Sequence, residues 1–295
     1  MSWGWRRNSC DGIYSDSLDV RFTKACDNAC AFCIEQSGLP SLGASQVEPM
    51  IAATIASHKT TVLILGGEPF LYPAKLREYI SGIRAAVSHI YVTTSIPWSL
   101  NPADPAVAEI LAAIDGLNVS LHHYDPALNN AILVASRPFD RMARLAELLA
   151  DPAIAAKTRV SVNLVRGQID SRAAIDTYLE RLAAIGARQV KLNELQEVGP
   201  ELYVSFERAY GCRLPSPYSG GCQTDISTLF ADRLSRPLRV TLKRSCFLVS
   251  PVPEASLSDL VKVAARRIRP LRSQHLVLYE DGSLSDGWIS GPVSS

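Results

Sequence analysis

From Leu18 to about Gln196 the chain repeats one unit, an apolar strand followed by an amphipathic helix. Strands separated by helices pair in parallel, and a parallel sheet needs helices to cover it, so this rhythm constrains the fold more than any other feature. Six stretches read as strands: "LDVRFT" (18–23), "TVLIL" (61–65), "IYVTTS" (90–95), "LNVSLH" (117–122), "RVSVNLV" (159–165) and "RQVKLNEL" (188–195). Between them, helices are expected over 47–58, 76–87, 105–114, 138–150 and 172–185. Val47, Met50, Ile51 and Ile55 line one face of the first, Pro138 suits a first helical turn, and Ser171 is positioned as an N-cap.

Beyond Gly199 the rhythm stops. Pro200, Pro215, Pro217 and "YSGGC" mark a loop-rich stretch, "PLRVTLKRSCFLV" (237–249) reads as one strand or a pair, and 256–268 as a helix. "HLVLYEDGSLSDGWI" closes with an Asp-Gly hairpin signal. A boundary is placed near residue 199, giving an α/β unit over 1–199 and an α+β extension over 200–295.

Thirty Lys and Arg against 29 Asp and Glu give no overall drive towards nucleic acid or an anionic membrane. No apolar run reaches bilayer length, and the N-terminus has no apolar core of a signal peptide. The expectation is a cytoplasmic protein whose seven cysteines are reduced thiols, for which metal binding or catalysis outranks disulfides.

Three of these, Cys26, Cys30 and Cys33, fall in "TKACDNACAFC" directly after the first strand. Core packing explains one cysteine well and three at CxxxCxxC poorly. Structural zinc asks for a fourth ligand, and a redox CxxC would leave Cys26 without a role. A 4Fe–4S cube held by three thiolates uses all three and leaves one iron open.

CxxxCxxC after a first strand, with aromatic Phe32 before the last cysteine, resembles the radical S-adenosylmethionine (SAM) superfamily, and "GGEPF" (66–70) at the end of the second strand resembles its GGE motif. Over residues 15–196 the resemblance implies a partial (β/α)6, TIM-like barrel, with the C-terminal α+β extension closing the active site. It further implies that Cys26, Cys30 and Cys33 hold an oxygen-sensitive 4Fe–4S cluster and that SAM chelates the open iron. Reductive cleavage would then yield a 5′-deoxyadenosyl radical. Gly66, Gly67 and Glu68 would meet the methionyl amino group, Phe32 would lie by the adenine, and Thr94, Ser120 and Asn163 would stand at the C-terminal rim among the cofactor-binding residues. A flavodoxin or ferredoxin would supply the electron.

Other residues carry weaker signals. His122 and Glu194 are candidate catalytic groups at strand ends, and Lys191 and Asn193 share a strand face. Cys212, Cys222 and Cys246 are candidates for an auxiliary iron–sulfur cluster, set against plain buried thiols. The basic runs "LKR" (242–244) and "ARRIR" (265–269) are candidate receivers of a phosphate or carboxylate. The expected function is a radical SAM enzyme acting on a small nucleoside, sugar or amino-acid-derived substrate, with no nucleic-acid or membrane partner. Two alternatives stand beside it: a peptide-modifying radical SAM enzyme, and a cluster- or zinc-binding structural or sensor protein without SAM chemistry.

Overall fold

The computed structural model describes residues 16–30, 32–33, 45–194, 204–214, 223–243 and 276–286. Six strands follow the expected order: β1 (Ser17–Thr23), β2 (Thr61–Gly66), β3 (His89–Thr94), β4 (Gly116–Ser120), β5 (Thr158–Leu164) and β6 (Gln189–Glu194), each paired in parallel with the next. The helices are α1 (Val47–Ala56), α2 (Pro73–Ile83), α3 (Pro105–Ala113), α4 (Pro126–Leu133), α5 (Arg141–Leu149), α6 (Pro152–Lys157), α7 (Arg172–Ala184) and α8 (Phe206–Tyr210).

Local chemistry sets the helix starts. The side chains of Asp104, Asp125, Asp140, Asp151 and Ser171 each accept from an N–H of the first turn that follows. The helix expected from Pro138 instead begins at Arg141, because the Asp140 carboxylate accepts from Ala143 N at 2.9 Å and fixes the start there. Sequence periodicity missed α4 and α6, which are eight and six residues long and too short to show it. Their Asp-Pro starts, an N-cap followed by proline at the first helical position, were the legible sign.

The chain beyond residue 199 continues the same sheet. β8 (Arg239–Lys243) lies parallel to β6, with β7 (Gln223–Asp225) antiparallel outside it. At the other flank β9 (Leu276–Leu278) lies parallel to β1 and turns back through Asp281-Gly282 into antiparallel β10 (Leu284–Asp286), the expected hairpin. The order is β10-β9-β1-β2-β3-β4-β5-β6-β8-β7. The helix expected over 256–268 lies outside the described residues.

Strand residues alternate between two faces. Val20, Phe22, Val62, Ile64, Val92, Val119, Val162, Leu192 and Val240 are fully buried on the face that meets the helices, where the Phe22 ring lies 5.9 Å from that of Tyr79 on α2. The opposite face carries Asp19, Arg21, Thr93, Asn118, Ser161, Asn163, Lys191, Asn193, Thr241 and Lys243. Parallel strands covered on both sides by apolar layers read as continuous apolar runs. β5, β6 and β8 do not, and their second face is polar, whereas β2 turns Leu63 and Leu65 to that side.

The β9 hairpin is anchored on that polar face. Arg21 Nε and Nη2 donate to the two carboxylate oxygens of Glu280 at 2.7 and 2.9 Å, both side chains are wholly buried, and the guanidinium stacks 4.4 Å from the centre of the Tyr279 ring. Gln46 N also donates to Glu280 O, which ties the start of α1 to the hairpin. Removing one member of a buried pair strands the other charge, whereas replacing both by apolar groups is often neutral. Glu280→Ala is therefore expected to cost about 3–5 kcal/mol in urea unfolding, and Arg21→Met with Glu280→Leu far less. A cost below about 1 kcal/mol for the single variant would show that the pair does not hold the hairpin.

Candidate active site

β1 ends at Thr23, and the cysteine loop leaves it across the end of β2. Gly67 N donates to Thr23 O at 2.6 Å and Glu68 N to Ala25 O at 2.8 Å. A Cβ on Gly67 would sit 2.1 Å from Ala25 O, and one on Gly66, whose φ is +112°, would sit 2.7 Å from Thr23 O. Glycine is required at both positions. What approaches their bare backbone is the end of β1, Arg21 and Thr23, at Gly66 and the start of the cysteine loop, Lys24 and Ala25, at Gly67.

Glu68 is buried beneath this contact. Its Oε1 accepts from Thr94 Oγ1 (2.9 Å) and Phe70 N (3.2 Å), and its Oε2 from Ser95 N and Ser95 Oγ (both 2.7 Å). Ser95 Oγ also accepts from Asn28 Nδ2 (2.8 Å), so the carboxylate reaches the loop between Cys26 and Cys30 through one hydroxyl. Glu68 and Thr94, singled out separately in the sequence, are hydrogen-bonded to each other.

Arg141, absent from the sequence expectations, closes the network. Wholly buried at the first turn of α5, it donates through Nε to Ser95 O (3.1 Å), through Nη2 to Asn28 Oδ1 (3.1 Å) and through Nη1 to Asn130 Oδ1. Its Nη2 lies 3.5 Å from Asp27 Oδ2, a buried oxygen with no hydrogen bond. From the other side α4 holds the loop: Leu133 O accepts from Ala29 N (2.9 Å) and from Cys30 Sγ (3.6 Å), and Ser136 N and Oγ donate to Asp27 O.

The three thiols are near enough to act on one another. Burial pushes Cys30 up to about 12, with Cys33 and Cys26 adding to the rise. Cys26 is the exposed member of the trio. The loop packed around it still desolvates its thiol and pushes it up to about 11, with Glu68, Asp27 and Cys33 adding to the rise. Thiolates gathered beside two carboxyls, with Arg141 as the cation, are disfavoured until further positive charge arrives, and bound metal supplies such charge. The donor set therefore fits an iron–sulfur cluster, for which soft thiolates are the usual ligands. Among the described residues, no three His, Cys, Asp or Glu side chains gather tightly enough to hold a single metal ion.

A second group stands beside the loop. The Phe32 ring meets the ring of His122 edge-on at 4.9 Å. His122 Nδ1 accepts from Asn163 N at 3.1 Å, which leaves the proton of the neutral ring on Nε2, and burial holds the ring's pKa down to about 4. The Asn163 side chain accepts from Asn193 Nδ2 at 3.1 Å. Phe32, His122 and Asn163 thus come together from three separate stretches. Ser120 lies at the end of β4, partly buried and paired with Ser161. Glu194 is set apart, buried on the helix-facing side of β6, where its Oε1 accepts from Phe206 N at 2.8 Å and caps the α8 segment. Cys212 packs partly buried against the core, and Cys222 and Cys246 lie outside the described residues.

Against this geometry, the family description for the Radical SAM superfamily matches residues 20–191, more than half of the chain, and the chain belongs to that superfamily. Membership supports an enzyme and implies a 4Fe–4S cluster and SAM as its cofactors. No curated protein matches its sequence. Among solved structures, Streptococcus suis SuiB bound to S-adenosylmethionine is similar, with a TM-score of 0.59 at 16% identity over 92% of this chain and 60% of SuiB. SuiB bound to its precursor peptide SuiA gives 0.61 at 15% over 92% and 59%. A radical SAM methyltransferase from Sphaerobacter thermophilus gives 0.53 at 18% over 78% and 66%. At these identities the likeness is one of fold. The chain spans about 60% of the length of SuiB. No helix among the described residues is long and apolar enough to cross a membrane.

Burial raises the Glu68 pKa from 4.5 to about 7, against the donors that favour its charged form. The folded protein therefore holds this proton more tightly than the unfolded chain does. The associated stability is fully present below about pH 4.5 and is lost as pH rises through about 7. Unfolding free energy of the metal-free protein should fall across this window by roughly 3 kcal/mol more in wild type than in Glu68→Gln. Parallel pH profiles for the two would show that Glu68 is not titrating there.

Proposed function

We propose that Cys26, Cys30 and Cys33 hold the 4Fe–4S cluster and that the chain cleaves SAM reductively to act on a small polar substrate lying on the polar face of the sheet. The observation that carries this reading is the cysteine loop clamped onto the strand ends by Gly67, Glu68, Ser95, Asn28 and Arg141. Held by Cys26, Cys30 and Cys33, the cluster would supply the one-electron reduction of SAM, and with it the radical chemistry of hydrogen abstraction from substrate.

The chain's own residues do the rest. Glu68, whose pKa burial raises to about 7 against its four donors, is a receptive partner for the methionyl ammonium, since a cation beside it favours its charged form. The Glu68–Thr94 contact fixes that carboxyl. Phe32 and His122 form one wall beside the loop, where the Nε2–H of a neutral imidazole is a donor for the adenosyl group. Asn163 and Ser120 continue that wall at the rim. Thr93, Asn118, Ser161 and Asn193 give the sheet face short polar side chains suited to a polar metabolite. Cys26 is the exposed member of the trio, and a low-potential flavodoxin or ferredoxin is assigned as electron donor on that flank.

Anaerobic reconstitution should load about four irons per chain and, on reduction with SAM present, release 5′-deoxyadenosine. The Cys26/Cys30/Cys33→Ala triple variant should lose both. Wild type that holds no iron, or that holds it and yields no 5′-deoxyadenosine, would overturn the reading. A further set of about four irons retained by the triple variant would assign an auxiliary cluster to the remaining cysteines.

A further inference from the structure

The polar face of the sheet is not evenly charged. Lys191 stands at the middle of β6, paired with Ser161 on one side and Thr241 on the other. Lys243 on β8 pairs with Asn193, two residues along from Lys191, and Arg159 on β5 lies two residues before Ser161. Period-two alternation puts all three cations on one face, on a diagonal across three neighbouring strands. Arg159 is steadied from β4, where its Nε donates to Asn118 Oδ1 at 3.1 Å. Among the described residues Lys191 makes no hydrogen bond and no ion pair. Burial first, then the charges of Arg159 and Lys243, hold its ammonium well below the usual lysine range, with no acid offsetting them.

Arg21 and Arg239 on this face each have a carboxylate partner. Arg21 and Glu280 form their bidentate pair at the β1 flank, and Arg239 on β8 pairs with Asp225. Lys191 is partly buried, and an ammonium partly withdrawn from water between two like charges favours an anion that completes the site. Ser161 and Thr241 flank it on the neighbouring strands, and Asn193 follows two residues along β6.

We propose that Lys191 and Lys243, backed by Arg159, form a subsite that binds a carboxylate or phosphate of the substrate. This deepens the small-substrate reading above and rests on the substrate lying on the polar sheet face. Lys191 is the central contact, a point charge suited to either oxyanion. Lys243, at the C-terminal end of its strand, is the outer contact nearer the rim.

Calorimetric titration of the reconstituted protein with inorganic phosphate, and separately with acetate, tests the subsite without turnover. Wild type is expected to bind saturably, Lys191→Met to weaken binding at least about tenfold, Lys243→Gln about threefold, and Lys191→Arg to stay within about threefold of wild type. Thermal melting of each variant separates lost binding from lost folding, and Lys191→Arg keeps the test open if Lys191→Met does not fold. Tighter phosphate than acetate supports a phosphorylated substrate, and the reverse a carboxylate. Equal binding by wild type and a folded Lys191→Met, or no binding by wild type, overturns the subsite. The Cys26/Cys30/Cys33→Ala variant is expected to bind phosphate as wild type does. Wild type that yields 5′-deoxyadenosine and binds neither anion would therefore sink the subsite alone. Phosphate binding lost in Lys191→Met, in a protein that makes no 5′-deoxyadenosine, would sink only the radical reading.

Discussion

The site depends on one buried cation. Arg141 projects from the first turn of α5 into a space bounded by the cysteine loop, the end of β3 and α4, and its guanidinium answers Asn28, Ser95, Asn130 and Asp27 together. Planar, always charged and five-donor, it can brace four partners at once in a way lysine cannot. Without it Asp27 would be a buried carboxyl with no counter-charge, beside three thiols and Glu68 that already oppose further negative charge. Burial pulls Arg141 below its ordinary value while Asp27, Glu68, Cys30 and Cys26 pull it back, so the cation and the anionic loop depend on each other.

From that point the architecture follows from two faces of one sheet. The apolar face supplies the packing that holds the helices. The polar face, with its glycine-built crossing at the end of β2, leaves room for chemistry at the strand ends. The chain beyond residue 199 flanks the same sheet, adding β8 beside β6 and β9 beside β1. The Arg21–Glu280 pair makes one of these additions a buried electrostatic commitment.

Much of this was legible in the residues. The six strands, their order and the loop carrying Cys26, Cys30 and Cys33 were readable because period-two and period-3.6 patterns are local. The polar face was readable too: "SVNLV", "VKLNE" and "VTLK" alternate where strands buried on both sides would not. Arg141 left a sign that went unused. It occupies the position one turn before Leu145 on the buried stripe of α5, and a charge on an apolar stripe needs partners. Its partners could not be read, because Asp27 and Asn28 lie more than a hundred residues away. The same holds for Glu194, whose place at a strand end suggested chemistry while its burial against α8 makes it a cap. The flanking of β1 by β9 joins segments some 260 residues apart and has no local signature.

In the proposed function, Cys26, Cys30 and Cys33 together present three thiolates and leave a place for SAM. Electron paramagnetic resonance of the reduced, reconstituted protein tests it most directly. The expected result is one reduced 4Fe–4S signal that depends on Cys26, Cys30 and Cys33 and changes its line shape when SAM is added. A signal that SAM leaves unaltered, or that survives unchanged in the Cys26/Cys30/Cys33→Ala variant, would contradict it.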